Sequence, residues 1–315
     1  MTAAEPHDQP HGHRGHEHGH GDGHGSVHLG EEEWAAYAVD TELRGEVVIG
    51  FLTDAITRVD EWRGAAAPVM QRIFDVGSGP GVAACALAGA YPEATVTAID
   101  SSPAMLARAA ARAARFGFAE RVDTHLTELP DGLDDLDDLG KADLIWASMS
   151  LHHIGDEVGA LRLLRDLLSP SGLIAIAEMA DPTRVLPDDL DIARPGLADR
   201  LDAVGAAWFA DMRAGLTDSV ESKKVMSMLT SAGFEVIDER VVRQRFDAPL
   251  TEAARHVAHG ELRRMRAQFG ERLDGEDLHS LDILCDPSDE RGALHRRDLF
   301  LLASCQIVIA RPARS

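Results

Sequence analysis

Short apolar runs alternate with helical patterns along residues 71–180. Each apolar run is bounded by polar or turn-forming residues, and the segments between the runs repeat apolar residues at helical spacing. This alternation predicts an α/β fold with a parallel sheet. The predicted elements are strand 72–76, helix 81–90, strand 95–99, helix 103–116, strand 121–126, strand 143–148, helix 157–168 and strand 173–178.

Helical patterns also flank this region. Apolar residues recur at helical spacing in 31–70, which we interpret as an N-terminal helical lid. Segments 183–218 and 250–292 carry further helical patterns and are interpreted as insertions into a domain that spans 71–315. The first insertion follows a predicted strand, at the edge of the sheet where a substrate lid is expected. The remaining predicted elements are helix 219–232, strand 234–242 and a final strand over 299–310.

A glycine-rich segment follows the first predicted strand. Gly77, Gly79 and Gly81 allow backbone conformations that a side chain would forbid, and the next helix directs free N–H groups at a ligand. The dinucleotide fingerprint has the spacing GxGxxG, whereas this segment has GxGxG with Val82 at the place of the third glycine. Asp75 also disfavours a pyrophosphate, because its charge would face the phosphates. The segment therefore favours a ligand with a carboxylate and an ammonium group, such as an amino acid.

A second acid ends the next predicted strand. Asp100 stands where folds of this kind hold ribose hydroxyls. An amino acid joined to a ribose suggests S-adenosylmethionine as the ligand. The same glycine spacing and Asp75 argue against a nicotinamide-dependent oxidoreductase.

Four segments resemble the class I S-adenosylmethionine-dependent methyltransferases in order and spacing. They are Asp-Val-Gly-Ser-Gly-Pro-Gly at 75–81, Asp-Ser-Ser-Pro-Ala-Met-Leu at 100–106, Ala-Asp-Leu-Ile-Trp-Ala-Ser-Met-Ser-Leu-His-His at 142–153 and Leu-Leu-Ser-Pro-Ser-Gly-Leu-Ile at 167–174. The resemblance implies a Rossmann-like seven-stranded sheet, with six parallel strands and an antiparallel seventh inserted between the fifth and sixth. It also implies helical N-terminal and inserted lid segments, with S-adenosylmethionine as the methyl donor and S-adenosylhomocysteine as the product.

The resemblance further implies the residues that bind the cofactor. Asp75 and the glycine loop would hold the methionine part, Asp100 the ribose and Glu128 the adenine edge. Ala147 and Ser148 would form the rim near the sulfonium. The full implied set is Asp75, Gly77, Ser78, Gly79, Gly81, Asp100, Ser101, Met105, Glu128, Ala147 and Ser148.

Two histidines follow the fourth predicted strand. His152 and His153 lie at its carboxyl end, where ligands bind in open α/β sheets. Methyl transfer needs a nucleophile in line with the methyl carbon, and it needs a base only where that nucleophile loses a proton. We therefore interpret both histidines as candidate catalytic residues and favour His152 as the base. The alternative is that they cap the next helix or pack against the N-terminal lid.

Two aromatic residues are candidates for contact with the acceptor, together with His152. Tyr37 lies in the predicted N-terminal lid and Trp208 in the first insertion. Both also fit the apolar stripe of an amphipathic helix, so packing in a core is the alternative interpretation.

Composition narrows the class of partner. The 315 residues carry a formal net charge of −22, which disfavours nucleic acid because that binding depends on Lys and Arg. No apolar stretch approaches the ~20 residues that cross a bilayer, and no export signal is recognised. The three cysteines are widely spaced, as expected in a reducing compartment. We expect a cytoplasmic biosynthetic protein without nucleic-acid or membrane partners; monomer and homodimer both stay open.

Residues 1–30 form a low-complexity leader that cannot build a core. We interpret it as disordered. Its imidazoles are suited to chelating Zn, Ni or Cu, so we expect adventitious metal binding there and no metal in the catalytic site. The histidines of the leader are His7, His11, His13, His16, His18, His20, His24 and His28.

The main hypothesis is an enzyme that transfers a methyl group from S-adenosylmethionine to an O, N or C nucleophile of a small or natural-product-like metabolite. Peptide or protein methylation is the alternative within the enzyme class. A different class is a non-catalytic protein that binds the cofactor or handles metal. Turnover on a metabolite panel would separate the enzyme from the binder.

Overall fold

The computed structural model describes residues 31–128, 136, 138–151, 154, 156–214 and 225–314. A seven-stranded sheet lies at its centre. The strands are β1 (Arg72–Val76), β2 (Thr95–Asp100), β3 (Val122–Leu126), β4 (Ala142–Ser148), β5 (Leu168–Met179), β6 (Phe234–Phe246) and β7 (Leu301–Pro312).

The strands follow the order β3-β2-β1-β4-β5-β7-β6. The strands β1 to β5 pair in parallel, and β7 runs antiparallel to both of its neighbours, β5 and β6. Six strands therefore share one direction, which confirms the predicted Rossmann-like sheet with an antiparallel seventh strand. The strand order reverses between β1 and β4, and in open α/β sheets ligands bind beside the carboxyl ends of strands at such a reversal.

Helices cover both faces of the sheet and extend beyond it. They are α1 (Glu31–Val47), α2 (Gly50–Arg63), α3 (Val82–Ala90), α4 (Pro103–Arg115), α5 (Glu157–Asp166), α6 (Leu197–Ala214), α7 (Val225–Ser231), α8 (Glu252–Phe269) and α9 (Gly275–Cys285). The predicted start of α4 is confirmed: the Ser102 hydroxyl accepts a hydrogen bond from the Met105 backbone N–H at 3.3 Å, and Pro103 occupies the first turn.

Within the described residues, buried apolar side chains form three separate clusters. Neighbouring residues of β1 point to opposite faces, so Ile73 joins the cluster beneath α2, α3 and α4, whereas Phe74 joins the cluster beneath α5 and α7. Burial on both faces explains why the central strands appear as continuous apolar runs in the sequence. The third cluster lies among α6, α8 and α9, where it includes Leu201, Leu262 and Leu281.

Several element boundaries differ from those predicted. Strand β5 begins at Leu168, where we predicted the end of a helix and a turn, because Leu168 pairs with Ala142 ahead of a β-bulge. Strand β6 continues to Phe246 instead of 242, because it pairs along its whole length with β7. The last strand occupies Leu301–Pro312 instead of 299–310.

Some predictions lie outside the described residues. These are the His-rich leader 1–30, most of the acidic run 131–138, both candidate histidines and residues 219–224 of a predicted helix. Among the helices that the structure does describe, none has the length and apolar character needed to span a membrane.

Candidate functional site

A loop with three left-handed glycines joins β1 to α3. The φ angles of Gly77, Gly79 and Gly81 are 69°, 51° and 77°, which residues with a side chain rarely adopt. The backbone N–H groups of Gly77 and Ser78 both donate to the Ile99 carbonyl, at 2.8 and 3.0 Å. The loop is thus held against the end of β2 before it enters the helix.

The loop is closely packed at its ends and open in the middle. A Cβ atom placed on Gly77 would lie 2.3 Å from the Ser150 Cβ, and one on Gly81 would lie 2.6 Å from the Ala109 Cβ. For Gly79, in contrast, no described heavy atom other than its chain neighbours lies within 4 Å of the same position. This open space is where a ligand would approach the backbone.

Asp75 is the most strongly perturbed acid of the site. Its side chain is 1% exposed, and burial raises its pKa to about 7, against an opposing hydrogen bond from the Ala84 backbone; the nearby Asp100 charge adds to the increase. Among the described residues, none donates a hydrogen bond to its Oδ2 atom. The buried Ser78 hydroxyl likewise has no hydrogen-bond partner in the part of the chain that is described. A cationic ligand group would stabilise the Asp75 carboxylate.

Asp100 connects the end of β2 to the glycine loop. Its Oδ2 atom accepts from the Gly79 backbone N–H at 2.8 Å, and its Oδ1 atom accepts from the Ser102 backbone N–H at 2.9 Å. Each carboxylate oxygen has a second lone pair, so both atoms retain capacity to accept from a ligand. The backbone N–H of Thr127 donates to the Asp100 carbonyl at 3.1 Å, which places the end of β3 beside the same edge.

The other predicted cofactor residues occupy varied environments. Glu128 is exposed and directly follows Thr127, so it lies near Asp100. Ser101 is exposed and Met105 is buried at the start of α4. Ala147 is fully buried in the apolar core of the sheet, whereas Ser148 is half-buried at the end of β4.

The chain leaves β4 through a strained turn. Met149 has a φ of 52°, in the left-handed region that few residues with a side chain adopt. The Ser150 hydroxyl donates to the Val76 carbonyl at 3.2 Å, and the Leu151 N–H donates to the Glu178 carboxylate at 3.2 Å. Strain of this kind persists only where surrounding contacts hold it, as these do.

The turn leads directly to His152 and His153, which lie outside the described residues. The sequence interpretation missed Ser150 and Glu178, which hold this turn. The sequence contained a signal for Glu178, because it is the last residue of the predicted strand 173–178. This strand, observed as β5, lies next to β4.

The two aromatic candidates are in different places. Tyr37 lies on α1 and is 46% exposed. Trp208 lies on α6, half-buried against the apolar cluster of α6, α8 and α9. The contacts of Trp208 therefore agree with packing in a helical core, and contact of either residue with an acceptor stays a prediction.

Comparison with known proteins identifies the central part of the chain. Residues 74–174 match a family model described as a methyltransferase domain. Trans-aconitate 2-methyltransferase from Methylobacterium radiotolerans is 32% identical over 161 residues, which are 45% of this chain and 58% of the relative. Malonyl-(acyl-carrier protein) O-methyltransferase from Laribacter hongkongensis is 31% identical over 160 residues, or 50% of each chain. The chain thus spans about half the length of the curated relatives it matches.

A solved structure also resembles the chain. The S-adenosylmethionine-dependent methyltransferase from Geobacter sulfurreducens, in complex with S-adenosyl-L-homocysteine, has 19% sequence identity and a TM-score of 0.46. The match covers 82% of this chain and 90% of that one.

The first prediction concerns the stability of the ligand-free protein. Because the pKa of Asp75 is about 7 in the folded state and near 4 in the unfolded state, the unfolded state binds fewer protons between these values. Wild-type stability should therefore fall as pH rises through this window. From pH 5 to pH 8, the free energy of unfolding of the wild type should fall by about 2–3 kcal/mol relative to that of the Asp75→Asn variant.

Urea unfolding at both pH values measures this difference. Asp123→Asn, at an exposed position on β3, is the matched control and should show no such difference. If the difference in free energy of unfolding between wild type and Asp75→Asn is the same at both pH values, the assigned pKa is wrong.

Proposed function

We propose that the protein transfers a methyl group from S-adenosylmethionine to a small metabolite, since residues 74–174 match a family model described as a methyltransferase domain. The observation that carries the proposal is the buried Asp75 carboxylate, one oxygen of which has no donor among the described residues. An ammonium group beside the open space at Gly79 would supply the missing positive charge.

The glycine loop and Asp75 fit the amino-acid end of the cofactor. Gly79 leaves room for close approach to the backbone, and the first N–H groups of α3 favour a carboxylate. Asp75 would hold the ammonium group, and the Ser78 hydroxyl, which has no partner in the described part of the chain, can donate to an oxygen. Both charged groups of an amino acid thus have a partner in one loop.

The acids on the neighbouring strands fit the nucleoside. Asp100 is held by two backbone N–H groups, so its carboxylate is fixed and can still accept from two ribose hydroxyls. Glu128 follows the residue that bonds to the Asp100 backbone, which favours a contact with the adenine edge. The three acids of the proposed set, Asp75, Asp100 and Glu128, thus lie in or directly after β1, β2 and β3, in the order of the cofactor's parts.

When bound, S-adenosylmethionine supplies an electrophilic methyl group on its sulfonium. The residues of the chain would then orient the acceptor; His152 and His153, which follow the strained turn after β4 in the sequence, are proposed to act on it. We propose His152 as the general base for an acceptor hydroxyl or amine, with the proton moving to an imidazole nitrogen.

The acceptor we propose is a small metabolite with an oxygen nucleophile, with nitrogen and carbon as alternatives. The name of one relative, an O-methyltransferase, supports oxygen; the other relative is named for trans-aconitate, a small acid. The helical segments around α1 and α6 are proposed to cover the acceptor as a lid.

Transfer of a labelled methyl group tests the proposed function. We expect wild-type protein to move label from S-adenosylmethionine to at least one acid, alcohol or amine in a metabolite panel. Asp75→Asn should weaken cofactor binding at least about tenfold because a charged contact is lost. Cofactor binding without turnover on any acceptor would favour a non-catalytic binder instead.

A separate prediction concerns the base. The His152→Ala variant should bind S-adenosylhomocysteine as tightly as wild type and transfer methyl to an alcohol or amine acceptor about 100-fold more slowly, because a positioned base typically contributes that much or more. Single-turnover rates at saturating cofactor measure the effect. If His152→Ala keeps the wild-type rate, His152 is not the base.

A further inference from the structure

Helix α1 lies across the edge of the sheet that holds the glycine loop. A Cβ atom on Gly45 would lie 3.2 Å from the side chain of Val82, the first residue of α3. On α4, Arg108 and Arg112 donate to the Glu42 carboxylate at 2.9 and 2.6 Å. Helix α1 is therefore held against the start of α3, next to the glycine loop.

The residue before Gly45 reaches across to the far side of this edge. The Arg44 guanidinium donates to the Thr183 hydroxyl at 3.1 Å, and Thr183 lies shortly after the end of β5. The Arg44 guanidinium also forms an ion pair with Glu261 on α8. Arg44 thus connects the lid, the exit of β5 and the inserted helices at one point.

A second arginine converges on the same carboxylate. Arg264 on α8 forms an ion pair with Glu261, whose side chain is only 5% exposed. We call Arg44 and Arg264 the arginine pair. Their side chains are 25% and 42% exposed, so neither is sealed beneath other residues. Two cations share one buried anion, and the cluster is accessible from outside.

The two guanidiniums of the arginine pair share one carboxylate, so this group of three side chains carries one excess positive charge. Asp40, another acid near the pair, is balanced by Arg263 at 3.9 Å. Partial burial lowers the pKa of both guanidiniums of the pair, and the charge of Arg264 adds to the decrease at Arg44. Tyr37 opposes the decrease at both, and Asp40 opposes it at Arg264. One additional anion would neutralise the excess and offset the loss of water around the guanidiniums.

We propose that the arginine pair, with Tyr37 beside it, forms a subsite that binds a carboxylate group of the acceptor. The forked guanidinium donors match a carboxylate, and one excess positive charge matches its single negative charge better than the higher charge of a phosphate. The inference rests on the proposed function, because it names the acceptor class for the same site.

Calorimetric titration of S-adenosylhomocysteine-saturated protein tests the subsite. The probes are succinate, benzoate and trans-aconitate, with succinamide as the uncharged counterpart and inorganic phosphate as the competing anion. We expect at least one carboxylate to bind in the wild type, at least about tenfold more tightly than succinamide and phosphate. Absence of carboxylate binding, or tighter phosphate binding, would overturn the assignment.

Two substitutions with opposite expected effects separate recognition from structural support. Arg264→Gln removes one cation and leaves Glu261 paired with Arg44, so carboxylate affinity should fall at least about tenfold. Glu261→Gln removes the competing anion, so affinity should rise. A merely structural role would weaken binding in both variants, and that outcome contradicts the proposal.

The matched control is Arg266→Gln, the same change two residues further along α8, where the arginine pairs with Asp282. It should keep wild-type carboxylate affinity; an equal loss there would show a general charge effect and overturn the subsite. The affinity for S-adenosylhomocysteine is measured first in every protein. Wild-type protein that fails to bind it contradicts the proposed function, whereas normal binding with arginine-independent carboxylate affinity overturns the subsite alone.

Discussion

The tight passage of the chain from β1 into α3 is the constraint on which the site depends. The loop must pass between Ser150 on one side and Ala109 on the other, with no room for a side chain at Gly77 or Gly81. Its backbone N–H groups donate to the end of β2, through the Ile99 carbonyl and the Asp100 carboxylate. The loop is therefore fixed before a ligand arrives, which lowers the entropy that binding must overcome.

Charge is distributed around this loop in two distinct ways. Beneath it, Asp75 is buried without a cation among the described residues, which suits a ligand that brings its own positive charge. Above it, α1 is tied to α4 through Glu42 and to α8 through Glu261, with arginine in excess at the second contact. A cationic donor below and an anionic acceptor above would each find the opposite charge.

The sheet and its glycine loop were predictable because their signals are local. Apolar runs indicated strands buried on both faces. The spacing of Gly77, Gly79 and Gly81 indicated a loop whose backbone needs positive φ angles. The start of β5 at Leu168 was not predictable, since the residues that follow it have turn composition and form an irregularity between two pairs, Leu168 with Ala142 and Leu173 with Leu144. The arginine pair could not be predicted either, because Arg44 and Arg264 are far apart in sequence. They come together only because the inserted helix α8 packs beside α1.

The central claim is that Asp75 receives the ammonium group of S-adenosylmethionine. Its most direct test is calorimetry of S-adenosylhomocysteine binding in buffers of different ionisation enthalpy between pH 5.5 and pH 7.5. Because the pKa of buried Asp75 is about 7 and a bound ammonium would lower it, binding should release up to about one proton in wild type and none in Asp75→Asn. Binding without proton release in wild type, or with equal release in both proteins, would contradict the account.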